Sequence, residues 1–208
     1  MPVTSGQEEI DAAVRSLSAE GVVAFPTDTL YGLGADVFSL PALERVISIK
    51  GRPPGLALPV LVSGWDQVGM VARDVPEAAR LLARRFWPGP LTLVLAGLAH
   101  LPEPVTGGGD TVAVRMPAHW VPVALAGKLG RPITGTSANR SGEPDLLTVA
   151  AVEEQLGGRV DYIIRAGPTP KGTPSTVVDV TGGKPRLVRQ GALPFEDVMA
   201  AWGRGTGR

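Results

Sequence analysis

The amino-acid sequence predicts an α/β fold with a mixed β-sheet. Short apolar runs, such as residues 91–96, alternate with longer segments in which apolar residues recur at helical spacing. Near the end of the chain, the runs 175–180 and 185–190 flank Gly182 and Gly183, a pattern that predicts a β-hairpin. Strands that alternate with helices form parallel sheets, and a hairpin adds antiparallel strands, so the predicted sheet is mixed.

Local signals set the bounds of the predicted elements. Ser5 and Glu8 form a capping-box pattern that begins a first helix, and Ser39 has the side chain to cap a second helix. Pro26 has no N–H group to donate, so it is predicted to stop the first strand. In order, we expect helix 5–20, strand 21–25, helix 39–50, strand 59–62, helix 74–86, strand 91–96, strand 111–116, helix 119–128, strand 132–136, helix 149–156, strand 160–165, the two hairpin strands and helix 195–202.

The segment at residues 97–110 is rich in proline and glycine. It carries Pro102, Pro104 and three consecutive glycines at 107–109. This composition disfavours regular structure, and loops of this length are often functional. We therefore expect the segment to be a loop that is mobile or responds to a ligand.

Composition limits what kind of protein this chain forms. With 208 residues, of which 44% are hydrophobic and 19% charged, the chain is predicted to fold as one globular domain over residues 1–208. The formal net charge is zero, so anion binding requires local clusters of Arg and Lys. The absence of cysteine excludes disulfides, thiolate nucleophiles and Cys-ligated metals. No signal-peptide pattern occurs and no apolar run reaches the ~20 residues of a membrane helix, so we expect a soluble, cytoplasmic protein.

A polar cluster follows the first predicted strand, in the sequence FPTDTLYGLGA at residues 25–35. Thr27, Asp28, Thr29 and Tyr31 place four oxygen-bearing side chains within five positions. Open α/β sheets bind ligands outside the carboxyl ends of their strands, where this cluster would lie. An Asx-type turn that merely connects the strand to the next helix explains the same residues equally well.

Isolated cations also follow the ends of predicted elements. Lys50 and Arg52 lie at the exit of the second helix, while Arg115 and Arg189 lie near the ends of apolar strands. Arg pairs with phosphate or carboxylate through parallel hydrogen bonds, so the set suits an anionic ligand such as a nucleotide. Neither the P-loop nor the Rossmann glycine motif occurs, so a nucleotide would bind by another arrangement. An alternative for Lys50 and Arg52 is that they only complement the helix dipole.

Seven short motifs occur in order along the chain. They are PTDTLYGL at 26–33, KGRP at 50–53, WPGPLTLVL at 87–95, VAVRMP at 112–117, TSANRSGEP at 136–144, PSTVVDV at 174–180 and RQGA at 189–192. Together, at this spacing, they resemble the YrdC family of L-threonylcarbamoyladenylate synthases. The resemblance covers residues 21–192, nearly the whole chain, and is to the single-domain form of the family.

The resemblance implies a twisted open α/β sheet with flanking helices and a large, positively lined concave cavity. It implies that L-threonine takes up bicarbonate or carbon dioxide to form an N-carboxylate, which attacks the α-phosphate of ATP. Threonylcarbamoyl-AMP and pyrophosphate would be the products, with Mg²⁺ held through the ATP phosphates. A threonylcarbamoyl transferase complex would then modify adenosine 37 of tRNA, and a direct contact with tRNA is left open.

The resemblance also implies roles for individual residues. Lys50 and Arg52 would contact the triphosphate and act in catalysis, and we expect both to be partly exposed. Thr29 would contact threonine, with Arg115 and Ser175 near the amino acid and its carboxylate. The ATP-binding residues would be Lys50, Arg52, Thr111, Ser137, Asn139 and Arg189.

One segment departs from the family pattern. After the K-x-R-P motif the family commonly has Asn or Lys before Pro-Leu and a His shortly afterwards, whereas this chain has Leu58 and Ser63. A contact to threonine or the nucleotide is therefore in question. Two alternatives to the synthase stay open: a paralogous nucleotide- or carbamoyl-handling enzyme, and an RNA-binding module without catalysis. Zero net charge and an aromatic content of 5% favour a small ligand over RNA.

Overall fold

Two mixed β-sheets form the centre of the structure, where the sequence predicts one sheet. The computed structural model describes residues 6–53 and 55–205. Ten strands occur within these residues: β1 (Val23–Pro26), β2 (Tyr31–Gly34), β3 (Val60–Leu61), β4 (Leu91–Ala96), β5 (Thr111–Arg115), β6 (Ile133–Thr134), β7 (Thr136–Ser137), β8 (Tyr162–Ile163), β9 (Thr176–Asp179) and β10 (Arg186–Arg189). The first sheet has the strand order β7-β2-β1-β8, and the second has the order β10-β9-β4-β5-β3-β6.

Both sheets combine parallel and antiparallel neighbours. In the first sheet, β1 is antiparallel to β2 and parallel to β8. In the second sheet, β4 is antiparallel to β5 and parallel to β9, and β9 and β10 form the predicted antiparallel hairpin. The prediction of a mixed α/β fold is therefore confirmed, and its division into two sheets is a finding of the structure.

The chain passes from one sheet to the other at Gly135. Strand β6 belongs to the second sheet and β7 to the first, and this glycine alone joins them. A Cβ atom at Gly135 would lie 2.3 Å from the side chain of Leu61, so a larger residue would force β3 to rearrange. Beside this crossing, the N–H of Thr134 donates to the carbonyl of Ala35 at 2.9 Å. The single strand predicted at 132–136 is therefore two short strands in different sheets.

The polar cluster after β1 forms the turn of a β-hairpin and does not lead directly to a helix. Pro26 is the last residue of β1 and pairs with Tyr31, so the first strand stops at this proline as predicted and includes it. The N–H of Thr27 donates to the carbonyl of Leu30 at 3.1 Å and closes the turn. The sequence does not predict β2, because two of its four residues are glycine. Pairing with β1 on one side and β7 on the other stabilises this strand.

Helices pack against strands of both sheets. Ser39 caps its helix as predicted, accepting a hydrogen bond from the N–H of Ala42, and Gly51 ends that helix in the left-handed conformation with φ of 58°. The capping pattern at Ser5 lies outside the described residues. The helices are α1 (Gly6–Ser18), α2 (Leu40–Lys50), α3 (Trp65–Val68), α4 (Glu77–Phe86), α5 (Glu103–Thr106), α6 (Trp120–Leu129), α7 (Val149–Leu156) and α8 (Phe195–Gly205).

Two apolar clusters form the core of the described residues. Helices α1 and α6 bury Ile10 and Leu125 against Phe25 of β1 in the smaller cluster. The larger cluster includes Leu93 of β4 and Leu82 of α4. Among the described residues, none of the helices has the length and apolar character that crossing a bilayer requires.

The segment predicted as a loop at 97–110 contains helix α5 at its centre. Val105 is fully buried in the larger cluster. The N–H of Gly97 donates to the carbonyl of Asp110 at 2.8 Å, which closes the ends of the segment. The segment is therefore a loop that contains one four-residue helix and packs against the core through Val105. That it is mobile or responds to a ligand stays a prediction.

Candidate functional site

A cavity of about 440 Å³ lies between the two sheets. Its walls come from the β1–β2 turn, from the segment after α2, and from strands β3, β4, β5, β7, β9 and β10. A volume of this size suits a small-molecule ligand. The polar side chains that line it are Thr27, Thr29, Tyr31, Arg52, Thr92, Arg115, Thr136, Ser137, Asp145, Ser175 and Arg189.

The β1–β2 turn brings Thr29 to the cavity wall. The hydroxyl of Thr27 accepts hydrogen bonds from the N–H groups of Thr29 at 3.1 Å and Leu30 at 3.2 Å. The same hydroxyl donates to the carbonyl of Leu30 at 2.7 Å. Thr27, Thr29 and Leu30 form a tight turn and also line the cavity. The turn is closed by the Thr27 hydroxyl and joins two strands, so the alternative of an Asx-type turn that only leads to a helix is wrong.

Arg115 is held in one orientation by three partners. Its Nε donates to the carbonyl of Gly89 at 2.9 Å, and its Nη1 donates to the hydroxyl of Thr29 at 2.9 Å. Its Nη2 donates to Oδ1 of Asp28 at 2.5 Å. Burial lowers the pKa of Arg115, and the field and hydrogen bond of Asp28 oppose this shift. A guanidinium keeps its charge in proteins, so the pair is an ion pair on the cavity wall.

Ser175 connects β4 to Arg189. Its hydroxyl lies 2.8 Å from the hydroxyl of Thr92, and its carbonyl accepts a hydrogen bond from Nη2 of Arg189 at 2.9 Å. Gly191 permits this approach, because a Cβ atom there would lie 2.3 Å from the carbonyl oxygen of Pro174. The glycine of the RQGA motif therefore has a steric role in placing Arg189.

Lys50 lies behind the cavity wall and is not among the lining residues. It is 4% exposed, and its amine donates to the carbonyls of Ser137 at 2.5 Å and Asn139 at 2.7 Å. Burial, and then repulsion by Arg52, lowers the pKa of Lys50 to about 8. The prediction that Lys50 is partly exposed is wrong, because its amine is directed into the protein at these carbonyls.

Arg52 lines the cavity and is half-buried, as predicted. Its Nη1 donates to the hydroxyl of Thr136 at 3.3 Å, and its Nη2 donates to the carbonyl of Ala57 at 2.9 Å. Its Nε is buried and has no hydrogen-bond partner among the described residues. Burial lowers the pKa of Arg52. A buried donor without a partner is costly, so this nitrogen destabilises the conformation of Arg52 in this structure.

The predicted site residues divide into two groups in the structure. Lys50 and Asn139 adjoin the wall through Ser137 and do not line the cavity. Thr111 begins β5, at the end opposite Arg115, and pairs with Ala96 outside the lining. The cavity brings together the other six: Thr29, Arg52, Arg115, Ser137, Ser175 and Arg189.

The two departures from the family pattern lie outside the cavity lining. Leu58 is fully buried in the core, and its N–H donates to the carbonyl of Pro104 at 2.9 Å. The N–H of Ser63 donates to Oε1 of Gln67 at 2.9 Å. In this structure, neither residue offers a side chain to a ligand in the cavity.

Two polar lining residues are missed by the sequence analysis. Thr92 interrupts the apolar run of β4, and a buried hydroxyl in such a run needs a polar partner, here Ser175. That interruption is a usable signal. Asp145 lies in an irregular segment after β7, and no local pattern distinguishes it from a solvated acid.

Arginines dominate the charge of the lining. Arg115 is paired with Asp28, whereas Arg52 and Arg189 form no ion pair within residues 6–53 and 55–205. Burial lowers the pKa of Arg189, and the field of Asp145 partly offsets this effect. The described part of the chain holds no group of three or more His, Cys, Asp and Glu side chains that could bind a metal. A divalent cation would therefore depend on oxygens that the ligand supplies.

Comparison with known families gives a match over most of the chain. The model of the Sua5/YciO/YrdC family, described by the words "telomere recombination", matches residues 15–191. A threonylcarbamoyl-AMP synthase of Pyrococcus abyssi is 45% identical over 85% of this chain and 52% of its own length. One of Bacillus subtilis is 38% identical over 97% of this chain and 58% of its own length. The chain thus spans just over half the length of these two relatives.

A shorter relative and two solved structures extend the comparison. A putative threonylcarbamoyl-AMP synthase of Mycobacterium tuberculosis H37Rv is 37% identical over 93% of this chain and 89% of its own length. The crystal structure of P. abyssi Sua5 complexed with L-threonine superposes with a TM-score of 0.90 at 41% identity, covering 96% of this chain and 58% of that one. The crystal structure of E. coli YciO superposes with a TM-score of 0.82 at 28% identity, covering 91% of this chain and 92% of the YciO chain.

Proposed function

The chain belongs to the Sua5/YciO/YrdC family, and on that premise we propose that it synthesises L-threonylcarbamoyl-AMP. The substrates would be L-threonine, bicarbonate or carbon dioxide, and ATP, with release of pyrophosphate. Relatives at 37–45% identity carry the name of this activity, and one solved relative holds L-threonine. The observation that carries the proposal is the cavity between the sheets, which combines hydroxyl groups with three arginines.

The proposed reaction brings two anions together. The amine of L-threonine attacks the carbon of carbon dioxide and loses a proton, which gives the N-carboxylate. A carboxylate oxygen then attacks the α-phosphorus of ATP, and the bond between that phosphorus and the bridging oxygen to the β-phosphate breaks. The electron pair leaves with pyrophosphate. The protein must therefore align the attacking oxygen with the leaving group and compensate negative charge.

The lining residues suit the two substrates separately. Thr29, Arg115 and Ser175 carry hydroxyl and guanidinium donors that fit the carboxylate and hydroxyl of an amino acid. Arg52 and Arg189 can bind the triphosphate through their positive charge, because neither forms an ion pair with a carboxylate among the described residues.

The nucleotide would also contact the residues around Ser137. Lys50 and Asn139 would contribute indirectly, since the amine of Lys50 holds the carbonyl groups on both sides of Ala138. For Thr111, which lies outside the lining, we propose no contact.

We propose Mg²⁺ as the cation that accompanies ATP. The lining fits this ion, because the carboxylate of Asp145 offers one oxygen ligand and Mg²⁺ commonly binds through one carboxylate, substrate phosphates and waters. When bound, Mg²⁺ would neutralise charge on the departing pyrophosphate. Arg52 and Arg189 would share that task from the protein side.

The product has a defined use in the proposed pathway. A threonylcarbamoyl transferase complex would move the threonylcarbamoyl group to adenosine 37 of tRNA, as the resemblance implies. We place this reaction in the cytoplasm, where tRNA is modified.

The proposal is tested by measuring pyrophosphate release from purified protein with ATP, Mg²⁺ and bicarbonate, with and without L-threonine. We expect release that requires threonine, together with a mass that matches threonylcarbamoyl-AMP. The Arg52→Ala variant, purified in the same way, controls for a contaminating enzyme and is expected to lose the activity. Threonine-independent turnover would indicate a paralogue, and tight tRNA binding without turnover would indicate an RNA-binding module.

A further inference from the structure

The arginines that line the cavity differ in their counter-charge. Nη2 of Arg115 lies 2.5 Å from Oδ1 of Asp28, and these side chains are 7% and 10% exposed, so both charges are withdrawn from solvent. Arg52 and Arg189 line the same cavity without an ion pair in the described residues. The lining therefore has a neutral part around Arg115 and a cationic part, in which Arg52 and Arg189 exceed the carboxylate of Asp145 by one positive charge.

The turn that carries Asp28 does not need an acid. The backbone and hydroxyl of Thr27 close the turn through hydrogen bonds with Thr29 and Leu30. The carboxylate of Asp28 is instead bound to Arg115. A local role in the β1–β2 hairpin therefore does not explain a negative charge at this position.

The orientation of Arg115 does not need a negative charge either. The neutral carbonyl of Gly89 and the hydroxyl of Thr29 already accept from two of its three nitrogens. What Asp28 alone adds is neutralisation of a buried guanidinium. Without it, Arg115 would be a desolvated cation with hydrogen-bond donors on a cavity wall, which is a strong site for phosphate.

We propose that Asp28 is a specificity-determining residue. By neutralising Arg115, it reserves the part of the cavity around Thr29 for a zwitterionic amino acid and excludes phosphate groups from that part. A zwitterion brings equal positive and negative charge to a neutral surface, whereas a phosphate brings negative charge without compensation. This inference rests on the proposed function. It explains how a cavity with three arginines gives the triphosphate and the amino acid separate places, so that the attacking oxygen can face the α-phosphorus opposite the leaving group.

The experiment compares Asp28→Asn with a matched control. Asparagine keeps the size and the acceptor oxygen of Asp28 and removes its charge. The control is Asp36→Asn, because the side chain of Asp36 is 4% exposed and pairs at 2.9 Å with Arg131, which lies outside the cavity lining, whereas Arg115 lines the cavity. Both variants lose a buried carboxylate charge, so the control separates general destabilisation from an effect on the cavity.

L-Threonine binding is measured by calorimetry at increasing concentrations of inorganic phosphate. In the native chain and in Asp36→Asn, we expect phosphate to leave the threonine affinity within about twofold, because phosphate binds at the cationic part. In Asp28→Asn, we expect phosphate to compete with threonine and to weaken its apparent binding by about tenfold or more. Phosphate-insensitive threonine binding in folded Asp28→Asn would overturn the inference.

Two further outcomes keep the test decisive. If the native chain does not bind L-threonine, the proposed function fails. If the native chain binds L-threonine and phosphate affects Asp28→Asn no more than it affects the native chain, only the role of Asp28 is contradicted. If Asp28→Asn shows no cooperative melting, the double variant Asp28→Asn with Arg115→Gln removes both charges and leaves no buried cation. That variant is expected to bind threonine weakly and without competition from phosphate, and competition there would contradict the inference.

Discussion

The amine nitrogen of Lys50 lies 2.7 Å from the carbonyl oxygen of Asn139, which connects the C-terminal end of α2 to the segment after β7. The same amine lies 2.5 Å from the carbonyl oxygen of Ser137. Because a charged amine has three N–H donors, one side chain holds two carbonyl groups in place. Lys50 therefore fixes Ser137 at the cavity wall from behind.

Replacing this amine with an apolar chain is expected to destabilise the fold. Lys50→Met leaves two carbonyl groups without their donor, which we expect to cost about 2 kcal/mol or more in the free energy of unfolding. Lys128→Met is the control, because Lys128 pairs with Asp11 at a surface where both side chains are over two-fifths exposed. Urea unfolding measures the free energy of unfolding of both variants. An equal loss of this free energy in Lys50→Met and Lys128→Met would count against an anchoring role for Lys50.

The lowered pKa of Lys50 predicts a pH dependence of stability. Between pH about 8 and 10.5, the unfolded chain binds more protons at this lysine than the folded chain does, so the free energy of unfolding rises with pH. Below this interval the buried charge costs stability in full. We expect Lys50→Met to show a smaller rise when urea unfolding is compared at several pH values across the interval. If the free energy of unfolding rose equally with pH in the native chain and in Lys50→Met, Lys50 would not titrate in this interval.

Loss of Arg52, which forms no ion pair with any described residue, is expected to affect catalysis far more than folding. Arg52→Ala removes charge compensation for the triphosphate, for which we expect kcat/KM to fall by about a hundredfold or more. Arg186→Ala is the control, because Arg186 is an exposed arginine on β10 outside the cavity. Pyrophosphate release gives the rates and thermal melting gives the stability. If Arg52→Ala kept the full kcat/KM of the native chain, the role of Arg52 in binding the triphosphate would be contradicted.

The close approach at Gly191 predicts a position-specific effect of alanine. In Gly191→Ala the new Cβ would meet the carbonyl of Pro174 at 2.3 Å, so Ser175 and Arg189 must separate. We expect a rise in the KM for threonine and a lower melting temperature. Gly182→Ala, in the β9–β10 turn where a Cβ meets nothing within 4 Å, is the matched control. Equal KM values for threonine and equal melting temperatures in Gly191→Ala and Gly182→Ala would contradict the steric role of Gly191.

Much of the fold follows from local signals. Strand β4 lies at the predicted positions 91–96, and Ser39 caps α2 as its side chain predicts. Strand β2 and the division into two sheets do not follow from the sequence, because they depend on contacts between distant segments. Gly32 is one example: its strand geometry comes from pairing with Phe25 and Ser137. No propensity of the residues in β2 themselves indicates that pairing.

The candidate site is also predictable from the sequence only in part. Charged groups such as Arg115 are conspicuous beside strand ends, and six of the predicted site residues do line one cavity. The direction in which a side chain points is not a local property, so the sequence does not show that Lys50 turns into the protein while Arg52 turns into the cavity. Membership of one domain over residues 1–208 stays a prediction.

The crossing at Gly135 limits how the cavity can change its width. A single residue spans at most about 3.6 Å, so the sheets cannot draw apart along this edge. The hydrogen bond between Thr134 and Ala35 fixes the same edge. A relative movement of the two sheets would therefore be a rotation about this edge, with the largest displacement at the walls farthest from Gly135. A ligand that touches both sheets would report that rotation directly, because its contacts on the two sides would lengthen unequally.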